Sequence, residues 1–465
     1  MTPNIYTLTS LIFCLTLGLH SAQANDDTVI QDKELGFADT LEAAFAFDPQ
    51  LKRAYWSYQA EKEEENIAFG NLLPNIRLNA GHQYEDSDNV YTDDGSGFYD
   101  PSQKRSTGEL TDTYWRASLR QPLINYASYQ NYQRGKSVAQ TAEYRYQRAE
   151  QELIYRVTER YVTVLLSAQR VFLTQQKLDA LNLKKTQVER ALELGIGDKI
   201  ETLYVKSERD LANVDLLQAK SDLADARTLL SNLTGFDVQF PERWIGSSRT
   251  ITPNLLTGTQ ADWLNSVNSN YAVRVARSQI KQEQHGLSAS KAEHYPVLDL
   301  NLHYLDRDSD DDFRTRKDTV AALELSIPLY TGGQTQSKTR RARAKVQASQ
   351  AELEYTITEK KQQIKLNYNR MLSYRERLIA LAESRESGKV YLEAAERQVA
   401  LNLSDQVNVL DAQTALVDTL LKITETLKEY LLSDLLLRLE AGQLDKDYLR
   451  HYDNLFNAAI ESRSN

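Results

Sequence analysis

The sequence predicts a duplicated, predominantly α-helical chain whose few strands belong to a membrane β-barrel. Three observations predict it. Four short segments alternate apolar and polar residues with period two. Two very long stretches carry apolar residues at every seventh position. The second half of the chain also repeats the prolines, turns and heptad positions of the first.

The bulk composition narrows the partners. The chain has 465 residues, a net charge of -10 and an isoelectric point near 5.4. Nucleic acid and anionic headgroups attract basic surfaces, so neither is expected as the main partner. Only 18 glycines and 9 prolines interrupt the chain, which suits long elements. Its mean hydropathy of -0.54 is that of a mostly water-facing protein.

The N-terminus reads as an export leader spanning residues 1–24. An apolar run over residues 8–19 is followed by Ala22-Gln23-Ala24 and then the acidic Asn25-Asp26-Asp27. That is the pattern of a signal peptide cut after Ala24. The run is too short for a bilayer, which requires about 20 apolar residues. The only cysteine, Cys14, lies inside the leader. Cleavage would leave a chain without disulfides, thiol nucleophiles or thiolate metal sites.

The strands come next. In residues 75–84, Ile76, Leu78 and Ala80 oppose Arg77, Asn79 and Gln83. In residues 114–123, Trp115, Ala117 and Leu119 oppose Arg116, Ser118 and Arg120. Residues 297–305 set Leu298, Leu300, Leu302 and Tyr304 against Asp299, Asn301 and His303. Residues 320–329 set Ala321, Leu323, Leu325 and Ile327 against Glu324 and Ser326. Strands of about ten residues with one apolar and one charged face suit an outer-membrane barrel wall.

Between residues 126 and 194 there is no proline and only Gly135. A helix of that length runs on the order of 100 Å. Val157, Val164, Val171 and Leu178 mark its coiled-coil seam, as Ile357, Ile364, Met371 and Leu378 do for residues 334–401. Ala342, Ala344, Ala394 and Ala395 permit close helix approach. Each stretch breaks once, at Gly195-Ile196-Gly197-Asp198 and at Asn402-Leu403-Ser404-Asp405. Gly and Asn tolerate the left-handed conformation that ends a helix, and Asp or Ser caps the next. These are hairpin tips, with returning helices expected to end near Thr234 and Leu439.

The two halves align at an offset of about 207 residues. Leu194, Asp198, Leu203 and Gly235 meet Leu401, Asp405, Leu410 and Gly442. The repeats are placed at 25–235 and 236–442, each a helix, two barrel strands and a long helical hairpin, with a C-terminal helical segment at 443–465. The acidic connections 85–112 and 306–318 read as solvated loops. Asp306-x-Asp308-x-Asp310 shares the opening of a calcium loop, yet Asp311 stands where glycine is needed and Lys317 where the closing Glu belongs. No metal site is assigned.

Four strands cannot close on themselves, and unpaired backbone groups in hydrocarbon cost several kcal/mol each. Copies of the chain must therefore share one barrel, and the helices would extend the pore away from the membrane.

Several motifs carry a resemblance. Leu72-Leu73-Pro74-Asn75, Gln121-Pro122-Leu123, Ile327-Pro328-Leu329-Tyr330-Thr331-Gly332-Gly333 and Val407-Asn408-Val409-Leu410-Asp411-Ala412-Gln413 are similar to the TolC family of outer-membrane channel proteins. The similarity extends from Leu41 to Gly442. It implies a homotrimer whose twelve strands form one barrel, continuous with an α-helical periplasmic tunnel. It also implies docking to an inner-membrane ABC or proton-driven transporter through a periplasmic adaptor, in drug efflux or type I protein secretion. The outer-membrane lipid is the remaining expected partner.

The resemblance places acidic aperture positions at Asn408 and Asp411, of which only Asp411 keeps a carboxylate, and at Glu201, used in links that hold the aperture shut. Asp198 and Asp405 at the tips join this candidate pore set. The aromatic that the family often carries near Gln398-Val399 is missing, and Asn402 replaces the family glycine. Gly195, Ile196, Gly197, Asn402, Leu403 and Ser404 are the expected adaptor-contacting residues. No catalytic residue or cofactor is assigned: His82, His285, His294, His303 and His451 show no ligand spacing, and no phosphate loop or nucleophile motif is present. The rival reading is a periplasmic coiled-coil scaffold without a pore.

Overall fold

The computed structural model describes residues 33–34, 36–90, 106–239, 257–310, 314–401, 403, 405–445, 448 and 452. The leader at 1–24 lies outside the described residues, as do Asn402, Ser404 and most of 443–465.

The first half runs β1 (Lys33–Glu34), α1 (Phe37–Phe47), α2 (Pro49–Gly70), β2 (Asn75–Val90), β3 (Ser106–Ile124), α3 (Tyr126–Glu193) and α4 (Lys199–Thr234). After β4 (Val238–Gln239), which pairs with β1 in parallel, come α5 (Gln260–Asn265) and a 3-10 turn at Ser266–Ser269. The second half then repeats the pattern as α6 (Tyr271–Ala292), β5 (Val297–Ser309), β6 (Arg316–Ser326), α7 (Gln334–Ala400) and α8 (Gln406–Ala441). The unit of helix, strand pair, long helix and returning helix thus occurs twice.

The four long strands form one antiparallel sheet in the order β2-β3-β5-β6. Its register aligns Ile76, Leu119, Leu302 and Ala321 in one apolar row, and Arg77, Ser118 and His303 in a polar row on the other face. The parity holds along the strands as far as Pro122, where an irregularity in β3 brings Ile124 opposite Leu298, so the apolar face continues to the helical end. At the outer end of that face Tyr84 joins Trp115 and Tyr304, whose ring centroids lie 4.8 Å apart. At the helical end Tyr295 and Tyr330 are exposed. Aromatics at both rims of an apolar band mark membrane interfaces.

The strands overrun their expected outer ends. β2 continues to Val90, β3 begins at Ser106, β5 continues to Ser309 and β6 begins at Arg316. Apart from Val90 and Leu110 the added residues are polar or small on both faces, so period two disappears while the backbone ladder continues. Cross-strand charges support the extension, with Lys317 Nζ 3.1 Å from Asp306 in the pair Asp306↔Lys317. This corrects the reading of 85–90, 106–112, 306–309 and 316–318 as loop. At the other end β6 stops at Ser326 rather than 329, since Pro328 has no N–H to give the ladder.

The helices form a slab. α2 flanks the first part of α3 and α4 its last part; α6 and α8 flank it on the next side, and α7 lies beyond them. Asn125 starts α3, its side chain accepting from the Ser128 amide at 3.0 Å. Gly135 lets α2 come close, because a Cβ there would lie 2.7 Å from the Glu64 carbonyl oxygen. The heptad seams are core: Val157, Val164, Ile364, Met371 and Leu378 are buried, and Val171 packs against the smaller cluster around Leu178 and Leu216. The largest cluster joins these to Phe37, Tyr161, Trp263, Tyr430 and Tyr452, where both halves meet midway along the slab. Among the described residues no helix is long and apolar enough to cross a membrane.

Candidate pore and tip surfaces

The hairpin tips are built by helix-ending chemistry. Gly195 adopts φ 75 after α3, and the Ile196 and Gly197 amides both donate to the Ala191 carbonyl, at 3.0 and 2.9 Å. Asp198 then caps α4, accepting from the Ile200 amide at 2.9 Å. In the second tip Asp405 caps α8, accepting from the Val407 amide at 3.4 Å. Asp198 and Asp405 therefore have a local task that accounts for their side chains. Between the caps the apolar residues stand in solvent: Ile196 is 81% exposed, Leu403 74% and Ile200 76%. Asn402 and Ser404 lie outside the described residues.

Asp411 is not a bare carboxylate. It pairs with Lys184 of α3, whose ammonium reaches across from a largely buried side chain. Seven residues further from the tips on each helix, Lys177 Nζ meets Asp418 Oδ1 at 2.8 Å. The two lysines and two aspartates form an interhelical ladder in antiparallel register. Sequence reasoning missed Lys177 and Lys184, although matching sevenfold spacings on α3 and α8 carried the signal. Asn408 is exposed on the first turn of α8, and Glu201 on the first turn of α4. α4 and α8 pack on different sides of α3, so Glu201 and Asp411 are not brought together within one chain.

The polar face of the sheet is the second functional surface. Near the helices it carries Arg77, Arg116, Arg120, Asn301 and His303 around a cavity of about 780 Å³. At the outer end Arg314 crosses this face, its Nη1 lying 2.9 Å from Glu85 on β2 and 3.6 Å from Asp112 on β3. Leu110 and Leu305 are buried although they sit on the polar side.

The edges complete the geometry. β2 and β6 have a neighbour on one side only. On them Ile76, Leu78, Leu323 and Leu325 are 71%, 70%, 69% and 61% exposed. The outer helices α4 and α7 likewise show Leu211, Val214, Val390 and Tyr391 to solvent.

A sheet with one lipid-compatible face, one polar face and open edges, continuous with a long helical slab, defines an outer-membrane channel protein. A sequence model of the outer membrane efflux protein family matches residues 40–236 and 265–443, and the chain belongs to that family, the TolC family that its motifs resemble. It is 25% identical over 434 residues to the proteases secretion protein PrtF of Dickeya chrysanthemi, covering 91% of this chain and 92% of the relative. It is 24% identical over 425 residues to the alkaline protease secretion protein AprF of Pseudomonas aeruginosa, covering 89% and 85%. The outer-membrane channel OprN has the same fold, with a TM-score of 0.73 at 13% identity over 88% of this chain and 90% of that one. The protein accordingly resides in the outer membrane and extends into the periplasm, and the scaffold reading falls away.

Proposed function

We propose that three copies assemble into one export channel, β6 of each pairing with β2 of the next to close a twelve-stranded barrel over an α-helical tunnel. The observation that carries this is the pair of open edges: their backbone groups and flanking apolar side chains need a partner in lipid. In this reading the repeats at 25–235 and 236–442 give each copy two hairpin tips at the periplasmic end, 1–24 is removed on export and 443–465 is a C-terminal helical segment. Ile196 and Leu403, with Gly195, Gly197, Asn402 and Ser404, are the contact points for a periplasmic adaptor serving an inner-membrane transporter. The names of PrtF and AprF, both protease secretion proteins, support an exported polypeptide as cargo. The role is transport, and no catalytic residue is assigned. Detergent-purified protein should have the mass of a trimer and conduct ions in planar bilayers; a non-conducting monomer overturns the reading.

Within this channel Asp411 and Asn408, with Glu201 supplied by a neighbouring copy, form the periplasmic gate, and Lys184 is the latch on Asp411. Asp411→Ala leaves three Lys184 ammonium groups facing the aperture, so the reversal potential in a salt gradient should move toward anion preference. Lys184→Met bares the carboxylates and should move it the opposite way. Unchanged potentials in both variants remove the gate from this position.

A further inference from the structure

The lumenal face of the sheet is electrically uneven, and the imbalance lies at one level. Register sets Arg77 of β2 opposite Ser118 of β3, and Asn79 opposite Arg116. Arg77 is therefore diagonal to both Arg116 and Arg120, at the roughly 7–8 Å spacing of such neighbours. Like charges so placed repel, and a sheet selected only for stability would not gather them. One of the three is answered: Arg120 donates to Asp299 from Nη2 at 2.7 Å and Nε at 3.2 Å. Arg77 Nε has a neutral partner, Asn75 Oδ1, at 2.9 Å. Arg116 faces Asn79 across the strands. Among the described strand residues of this face, Glu324 on β6 is the other carboxylate near this level, and it accepts from Asn301 Nδ2 at 2.9 Å.

The other polar strand residues lining this cavity are Asn75, Asn79, Ser118, Asn301 and His303, groups that hydrogen-bond without opposing the charge. Arg77, Arg116 and Arg120 are all solvent-exposed, and the cavity beside them is large enough for several side chains at about 780 Å³. Asn71 at the end of α2 and Asn125 at the start of α3 line the same space, which fixes its level as the junction of sheet and helices. Toward the outer end of this face the cations have partners. Arg314 is paired with Glu85, Arg316 with Asp318 at 2.8 Å, and Arg307 lies over the Tyr114 ring at 5.6 Å. Arg77 and Arg116, neither paired with a carboxylate, thus lie side by side at the junction, whereas Arg314 and Arg316 at the outer end each have one.

We propose that this arginine belt is a binding station for the carboxylates of an exported polypeptide as it passes from the helical tunnel into the barrel. The inference rests on the channel reading above. Guanidinium forks bind carboxylates bidentately, and open, solvated arginines release them again, which suits a station along a path rather than a permanent site. Threefold repetition would close the patch into a ring opposite in sign to the carboxylates at the tips.

The test is block of single channels in planar bilayers by short poly-L-glutamate, with poly-L-lysine and inorganic phosphate as parallel probes. Poly-L-glutamate should block the unaltered channel. The double variant Arg77→Gln, Arg116→Gln should raise its half-blocking concentration at least about tenfold, the loss expected for removing charge-assisted hydrogen bonds. Arg77→Lys with Arg116→Lys keeps the charge and should retain block within a few-fold. Unchanged block in the glutamine variant overturns the proposal, as does equal block by poly-L-lysine. Phosphate blocking as well as poly-L-glutamate at matched charge would overturn the polypeptide as ligand. A preparation forming no conducting channels would instead defeat the channel reading beneath it.

Discussion

Asp434→Ala should destabilise the folded chain by about 3–5 kcal/mol, the loss expected when one partner of a buried ion pair is removed. Asp434 on α8 is fully buried, and its carboxylate is surrounded by donors. Arg438 Nε reaches Oδ1 at 3.0 Å, while the Tyr448 and Tyr452 hydroxyls reach Oδ2 at 2.6 and 3.0 Å. Arg438 is sandwiched between aromatic rings, with its guanidinium 3.6 Å from the Tyr448 ring centroid and 5.3 Å from that of Trp263. Alanine at 434 would take the carboxylate from a buried guanidinium and from both tyrosine hydroxyls at once, leaving the Tyr452 hydroxyl the Leu431 carbonyl at 3.2 Å. The cluster ties Tyr448 and Tyr452 to the middle of the slab, next to Phe37 and Tyr161. Its loss should therefore lower the thermal midpoint and expose the C-terminal segment to protease. A midpoint within a degree of the unaltered protein would refute the role.

The pH dependence of this cluster has a definite sign. Burial holds the Asp434 carboxyl above its ordinary value, against the opposing pull of Arg438 and the two tyrosine hydroxyls. A carboxyl raised in the folded state holds its proton there more readily than in the unfolded chain. Its contribution to stability is therefore greatest below the ordinary carboxylate range and declines as pH rises through the raised value. Asp434→Asn keeps an acceptor for the tyrosines and cannot ionise. Its stability should show a smaller decline over that interval than the unaltered protein, measured by denaturant midpoints at successive pH values.

The architecture was legible because its signals are periodic. Ile364 and Met371 lie seven residues apart and are both buried, and Leu298 and Leu300 lie two apart on the face that the register makes apolar. What periodicity does not carry is pairing between distant segments. Lys184 and Asp411 are each an ordinary charged residue of a long helix in the sequence, and only the register of α3 against α8 joins them. Arg77 and Arg116 were legible as polar-face residues, but their clustering depends on the β2–β3 register. The outer strand ends escaped notice for the converse reason: above the lipid both faces are polar, so the backbone ladder continues where the hydropathy pattern has ended. The short pairing of Lys33–Glu34 with Val238–Gln239 involves two residues on each side, too few to leave any pattern.

The apolar face can be tested against its reverse by two substitutions one residue apart. Leu323→Arg should abolish assembly of the channel in the outer membrane, whereas Ala322→Arg should leave assembly intact. Successive residues of a strand point to opposite faces, so 322 and 323 report on lumen and lipid respectively. Leu323 lies opposite Leu300 in the middle of the apolar band, and Ala322 lies opposite Asn301 on the polar face. An arginine in lipid near the bilayer midplane costs about 2–4 kcal/mol, and a barrel of three copies carries it three times. The total is of the order of 6–12 kcal/mol, comparable with the whole stability of a domain. At 322 the same side chain enters water beside Asn301 and Glu324, where it has partners and no desolvation to offset. Heat-resistant trimers on a gel and single-channel conductance read the two effects separately. Loss of trimer at 323 with a shift only in conductance at 322 fits a barrel wall with this orientation. Equal loss at both positions would mean that 322 is also enclosed, and normal trimer at 323 would mean that the apolar face does not meet lipid.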